Sequence, residues 1–485
     1  MKPSIIIITI AVYVALLVVV ARLAGRGADN SGFFVGARRS KWWMAMIAMV
    51  GGAMSGVTFV SVPGMVVSEG FSYMQMALGF VVGYFIIGFV LVPLFYRMGL
   101  YSIYGYLEER FDVGVCRTGA GLFFVSKLLG ASVRLFLICA VLQPLLYDPL
   151  GVPFVVNCTA TVLLVWGYTF SGGVKSLIAT DVLRTGCLVG SIIGAMWVVT
   201  VAEDLSFGEM VRTVRDSELS QMFFTDDVRD DRYFPKQFFA AIFLVIAMTG
   251  LDQEMMQRTL SCRNARESQK NMMSASIIQA VIIFVLLVLG VLLYTFAERR
   301  GIALPADSTD AMFPTVATSS EMPLAVGILF VLGLVASTYS AAGSAMTALT
   351  TSFTVDILGG AKRYDEHTLT RVRKRVHICM AVAMAAVVYA LHLLGNGSVI
   401  DAVYTLGSYT YGPILGLFCF GLATRRSVRS AGVPVVAMAA PLICFIVQHH
   451  SEQWFDGYRM GYELLLLNAL LTLLGMWLLS KPQCK

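Results

Sequence analysis

Gly51-Gly52-Ala53-Met54-Ser55-Gly56 stands inside an apolar run, residues 42–67, that also carries Pro63-Gly64. A helix crossing the hydrocarbon core of a bilayer takes about 20 mostly apolar residues, so the run is long enough to span. Its glycines lower the cost of leaving helical geometry. Unwound backbone at membrane depth frees carbonyl oxygens that can hold a cation, and it survives only where buried in protein or lining a watery cavity. Small residues also let helices pack closely. On composition the two readings stand level.

The rest of the chain places this run among others like it. Of 485 residues, 57% are hydrophobic and 14% charged, with a mean hydropathy of +0.76; soluble domains carry roughly 25% charged residues. Lipid is therefore the main solvent. The twenty-residue ruler marks thirteen stretches: 3–24, 42–67, 72–98, 118–146, 152–170, 178–202, 236–256, 271–297, 324–355, 375–395, 399–423, 431–449 and 460–480. The expectation is an all-α integral membrane protein of one transmembrane domain, residues 1–485. With the N-terminus outside and the C-terminus cytoplasmic, the loops 25–41, 99–117, 257–270, 356–374 and 424–430 lie inside and hold 18 of the 36 Lys and Arg residues, in line with the positive-inside rule. The outer loop 203–235 is rich in Asp and Glu. In a bacterium the location would be the inner membrane.

Several function classes drop out. The basic residues form short clusters such as Arg38-Arg39-Ser40-Lys41, with no continuous basic face for nucleic acid. The nine cysteines are scattered singly, without CxxC, so neither a disulfide framework nor a zinc site is indicated. His449-His450 ends an apolar run and reads as interfacial. HExxH, GxSxG and paired carboxylates at membrane depth are absent from the sequence, which speaks against an enzyme. The first run, 3–24, is too long for a signal-peptide core and reads as an uncleaved span.

Polar groups inside the spans carry the functional signal. Ser337, Ser340, Ser344, Thr347 and Thr351 recur at steps of three or four in the ninth span and form one hydroxyl stripe. Such hydroxyls can bond back to their own helix or face a polar seam; five on one side favour the seam. Asp181 in the sixth span has Arg184 three residues on, within reach of an ion pair. Lys127 and Arg134 share a face of the fourth span; Lys127 can snorkel to the interface, whereas Arg134 lies deeper and needs a partner. Ionisable groups at this depth are costly and mark function.

Several blocks resemble the sodium/solute symporter family: Phe33–Trp43 (FFVGARRSKWW), Leu100–Phe111 (LYSIYGYLEERF), Gly172–Asp181 (GGVKSLIATD), Asp252-Gln253 with Gln257-Arg258-Thr259-Leu260, and Phe353-Thr354-Val355-Asp356. The resemblance implies a LeuT-like fold of two inverted five-helix repeats, here 42–202 and 236–423, flanked by spans 3–24, 431–449 and 460–480. The first helix of each repeat would be broken, at Gly51–Gly56 and around Thr249-Gly250. It further implies a sodium site built from the Gly51, Met54 and Ser337 carbonyls and the Ser340 hydroxyl, with Asp181 on a sodium path or second site. Three positions depart from the family pattern: Ala341 replaces a hydroxyl ligand, Ala179 stands where Trp is usual, and Arg184 stands where Gln is usual.

The implied activity is sodium-coupled symport of a small organic solute across the lipid bilayer by alternating access, with Na+ as the coupling ion. Proton coupling through Asp181 and a non-transporting sensor are the alternatives. The sequence carries no signal for oligomeric state. Sugar-transporting members place polar side chains on the third and seventh spans, but the matching residues here are Met74, Ala77, Val245 and Met248. A polyol would lose hydrogen bonds against them, which disfavours a hexose. Candidate solute contacts are Met248 with the polar Thr58, Gln75, Thr249, Ser408 and Tyr409.

Overall fold

The computed structural model of the chain describes residues 3–25, 38–100, 102–170, 173–304, 309–394, 399–455, 457–458 and 460–481; the side chains at 3, 173, 175, 340, 361, 362, 394 and 399–404 fall outside that description. Residues 33–37 of the Phe33–Trp43 block therefore lie outside it, as do Tyr101, Gly172 and the side chain of Ser340.

The bundle is built from α1 (Pro3–Gly25), α2 (Trp42–Ala53), α3 (Gly56–Glu69), α4 (Tyr73–Ile86), α5 (Val113–Leu142), α6 (Phe154–Thr169), α7 (Gly173–Ala202), α8 (Phe234–Val245), α9 (Gln253–Thr259), α10 (Ala265–Arg300), α11 (Leu324–Ser352), α12 (Glu366–Leu394), α13 (Val399–Ala423), α14 (Val433–Trp454) and α15 (Leu464–Leu479). Each of the thirteen stretches marked by hydropathy carries one or two of these helices. Among the described residues, nine helices are long and apolar enough to cross a membrane, or up to eleven when each of two bent pairs counts as one span. Phe154–Thr169 and Leu464–Leu479 are apolar but shorter.

Both expected breaks are present. Helix α2 stops at Met54 (φ −87°, ψ 90°) and Ser55 (φ −83°, ψ 170°), and α3 leaves at 57° to it. Ser55 caps the new helix, its hydroxyl accepting the Thr58 N–H at 3.4 Å. Helix α8 widens into a π-turn over Ile246–Gly250, and α9 then sets off at 74°. Asp252 caps α9 by accepting the Met255 N–H at 3.1 Å.

Several helices begin before the hydropathy estimate. α5 begins at Val113, capped by Asp112, and α10 at Ala265, capped by Asn264. α12 begins at Glu366, so Arg371–Arg375 lie on a helix rather than in a loop. Hydropathy registers only the apolar part of a helix, whereas backbone hydrogen bonding carries it into polar residues until a cap ends it.

The burial pattern suits lipid. Ile8, Val12, Val19 and Leu23 of α1 and Val435, Met438, Leu442 and Phe445 of α14 are exposed, while Asp181, Arg184, Glu254 and Arg258 are buried. The segment Ser102–Arg110 ties distant blocks together at one end of the bundle. Ser102 donates to Asp356 (2.8 Å), the Ile103 N–H to Gln253 Oε1 (3.0 Å) and Tyr104 to the Leu251 carbonyl (2.9 Å). Three of the sequence blocks that carried the family resemblance thus meet in space.

Around the first broken span, backbones approach without intervening side chains. A Cβ on Gly290 of α10 would overlap the Pro63 carbonyl of α3. Gly290→Val is expected to destabilise the protein by about 1–3 kcal/mol through overpacking. Gly121→Ala, whose new methyl meets nothing within 4 Å, is the control. Thermal unfolding of the purified variants in detergent checks the contrast.

Candidate ion and substrate site

The break between α2 and α3 sits against three further helices, α7, α9 and α11. A Cβ on Gly56 would overlap Thr338 Oγ1 and press on Ser337 Oγ, which puts α3 against the hydroxyl-bearing face of α11. A Cβ on Gly51 would overlap Thr185 Oγ1 of α7, and one on Gly52 would stand 3.1 Å from the Arg258 guanidinium carbon of α9. Glycine is needed at 51 and 56 for this approach.

A continuous chain of buried charges links that junction to the second break. Arg184 Nη1 lies 3.6 Å from Asp181 Oδ1, and Arg258 Nε lies 2.8 Å from Asp181 Oδ2. Arg258 also pairs with Glu254 at 3.2 Å and donates to Ser344 Oγ at 2.5 Å. Lys127 Nζ closes the chain, 2.5 Å from Glu254 and 2.7 Å from Asp252, to which the Tyr411 hydroxyl also donates. Three cations thus meet three carboxylates. Lys127 does not snorkel, because two carboxylates brought in by the second break offer it a nearer counter-charge.

The hydroxyl stripe divides. Ser337 donates to the Leu334 carbonyl, Thr347 to Gly343 and Thr351 to Thr347, all within the helix. Ser344 reaches across to Arg258. Of the expected sodium set, Gly51, Met54, Ser337 and Asp181 are gathered near the first break, and the Ser340 side chain lies outside the described residues. The Met54 carbonyl accepts a hydrogen bond from Arg184 Nη2 at 2.9 Å.

The expected solute contacts are spread more widely. Thr58 lies one turn into α3. Gln75 is engaged by the acid-rich connection: its amide donates to the Arg232 carbonyl (2.8 Å) and Gln237 Oε1 (2.9 Å), and accepts the Phe224 N–H (3.2 Å). Ser408 lines a cavity of about 530 Å³ at the end of the bundle bearing Glu69, Asp231 and Glu463. Met248 lines a small second cavity of about 30 Å³ with Arg134, Lys127, Asp252 and Tyr411. Thr249 is buried beside Met248 in the π-turn. Tyr409 donates to Gln448 on α14.

Arg134 is the deep cation for which the sequence showed no counter-charge. Among the described residues it makes no hydrogen bond or ion pair, and its Nε is buried without an acceptor. Asp252 was visible only as part of a family block, and Glu254 was not singled out. Their signal was the i,i+4 spacing of Glu254 and Arg258, with Asp252 at a helix-capping position.

The profile of the Sodium:solute symporter family matches residues 33–433. The chain belongs to that family. The sodium/sialic acid symporter of Proteus mirabilis is 24% identical over 90% of this chain and 88% of its own length. The human sodium/iodide cotransporter is 24% identical over 84% and 63%, and the sodium/glucose cotransporter of Vibrio parahaemolyticus 22% over 91% and 84%. A solved Na+-coupled sialic acid symporter, described as substrate-bound and outward-open, superposes over 98% of this chain and 99% of that one with a TM-score of 0.83 at 19% identity. Mhp1, a nucleobase-cation-symport-1 family transporter, superposes over 91% and 92% with a TM-score of 0.52 at 14% identity. These likenesses carry the LeuT-like fold. As a member of the Sodium:solute symporter family the chain is a transporter, not an enzyme, with Na+ as its coupling ion.

The charge chain sets a stability test for this symporter. Lys127→Met leaves two buried carboxylates short of a cation and is expected to cost about 3–5 kcal/mol. Adding Glu254→Gln to it restores part of the loss. A double-mutant cycle on thermal unfolding measures the coupling.

Proposed function

We propose that the protein imports a small organic anion with Na+, and that Arg134 holds the anion's carboxylate. The observation that carries this reading is the unpartnered Arg134 in the cavity beside Met248 and the second break. An arginine at this depth is expensive without a counter-charge, and its planar fork matches a carboxylate bidentately. The nearby carboxylates Asp252 and Glu254 are already held by Lys127 and Arg258, so a bound anion supplies the missing negative charge.

Relatives named for sialic acid, iodide and monocarboxylate are consistent with an anion. The apolar Met248 beside it disfavours a simple sugar. Leu406 and Gly407 wall the small cavity and Thr405 and Ser408 the large one, so a single turn of α13 separates them. The reading takes the large cavity as the outer entrance and this turn as the gate between it and Arg134. The small cavity, about 30 Å³, holds no solute until the gate moves. We place the N-terminus outside and the C-terminus in the cytoplasm, from the basic clusters at one end of the bundle and the acid-rich connection at the other. Each Na+ moving inward then gains about 2.3 kcal/mol per 100 mV, which drives accumulation of the anion.

A thermal-shift screen of purified protein tests the reading, since a ligand of the native state raises its apparent stability. Small carboxylates are expected to stabilise the protein in Na+ but not in K+, and their neutral amides to have no effect. Arg134→Gln is expected to weaken carboxylate binding roughly 10- to 100-fold, the loss of a charge-assisted hydrogen-bond pair. Stabilisation by a neutral solute, unchanged in Arg134→Gln, contradicts it.

A further inference from the structure

The break between α2 and α3 leaves backbone oxygens exposed to whatever cation is nearest. Backbone bonding stops with the Met54 N–H to the Val50 carbonyl (2.9 Å) and resumes with the Phe59 N–H to the Ser55 carbonyl (3.0 Å). Among the described residues, the carbonyls from Gly51 to Met54 receive no backbone amide. The cation that meets this gap is part of the protein: Arg184 Nη2 donates to the Met54 carbonyl at 2.9 Å.

Arg184 is fully buried, and its Nε and Nη1 have no hydrogen-bond acceptor among the described residues. Its counter-charge is shared. Asp181 lies 3.6 Å from Arg184 but 2.8 Å from Arg258. Glu254 is divided between Arg258 and Lys127, and Asp252 faces Lys127. The carboxylates joined to the break are therefore matched one for one by fixed cations, and a further cation there would have no anion of its own.

We infer that the Arg184 guanidinium is a tethered cation occupying the oxygen site of the first break in place of a free sodium ion, so that this transporter binds one sodium fewer than the site would otherwise admit. The physical basis is charge and place. Guanidinium stays protonated at every physiological pH, so the site cannot be vacated by deprotonation. A second unit charge about 4 Å away, at the effective dielectric of a partly solvated protein, is disfavoured on the order of a thousandfold in affinity. The tether also joins α7 to the hinge of the first broken span, which gives a contact that can form and part with the conformational cycle without an ion entering or leaving. The inference rests on the sodium coupling adopted above and is independent of the anionic solute.

The test uses Na+ alone, without organic solute, on purified full-length protein. Equilibrium binding of radioactive sodium is measured for the unmodified protein, Arg184→Gln and Arg184→Lys. Arg184→Gln is expected to bind one more Na+ per protein than the unmodified chain, and Arg184→Lys, which keeps the charge, the same number as the unmodified chain. An equal or smaller number in Arg184→Gln overturns the inference. Should Arg184→Gln fail to fold, a structure of the unmodified protein at saturating Na+ decides. The guanidinium still on the Met54 carbonyl supports the inference, and an ion there with Arg184 swung away overturns it. Loss of carboxylate binding in Arg134→Gln bears only on the solute, so failure of either reading is seen separately.

Discussion

Burying six charges in a protein that lives in lipid is possible only because each touches an opposite. The chain Arg184–Asp181–Arg258–Glu254–Lys127–Asp252 begins at the first helix break and ends at the second. Removing any single member leaves an uncompensated charge in a low-dielectric interior. The chain therefore does more than neutralise. It fixes where α7, α9 and α5 stand relative to the two places where backbone leaves helical geometry.

The breaks themselves follow from small residues and caps. At Gly51 and Gly56 the neighbouring Thr185 and Thr338 come closer than any Cβ allows, and Ser55 and Asp252 start the second half of each pair. A bent span of this kind can swing about its hinge at little cost in packing, because the halves are separately helical. The charges hold this arrangement firmly, since removing one member strands another. Arg134 stands just outside the balanced set, near enough to share the field of Glu254 and Tyr411, with its own charge still to be met.

Legibility in the sequence tracks the range of each interaction. Spans and the acid-rich connection are local patterns and could be read; the glycine-bearing break stood level with close packing on composition, and the family resemblance implied it. Asp181 with Arg184 was readable because the two are three residues apart, although Arg258 proves the nearer partner. Lys127 with Asp252 was not, since 125 residues separate them, and an ion pair leaves no periodic trace. The Arg184 bond to Met54 was further out of reach, because its acceptor is a backbone oxygen, which no side-chain identity announces. The hydroxyl stripe was visible as a stripe, but which of its members turn inward to their own helix depends on neighbours that only the fold supplies. Gln75 shows the reverse case: polar and buried, it reads as a solute contact but spends its amide on the connection around Arg232.

The account's central claim is that the buried charges couple the two breaks into one moving unit. Hydrogen exchange of the backbone amides over residues 51–56 and 246–252, followed with and without Na+, tests it most directly. Coupling predicts that Na+ changes protection at both segments together in the unmodified protein, and that Asp181→Asn makes the two responses independent. A sodium response confined to one segment, with the other unaffected in the unmodified protein, would contradict it.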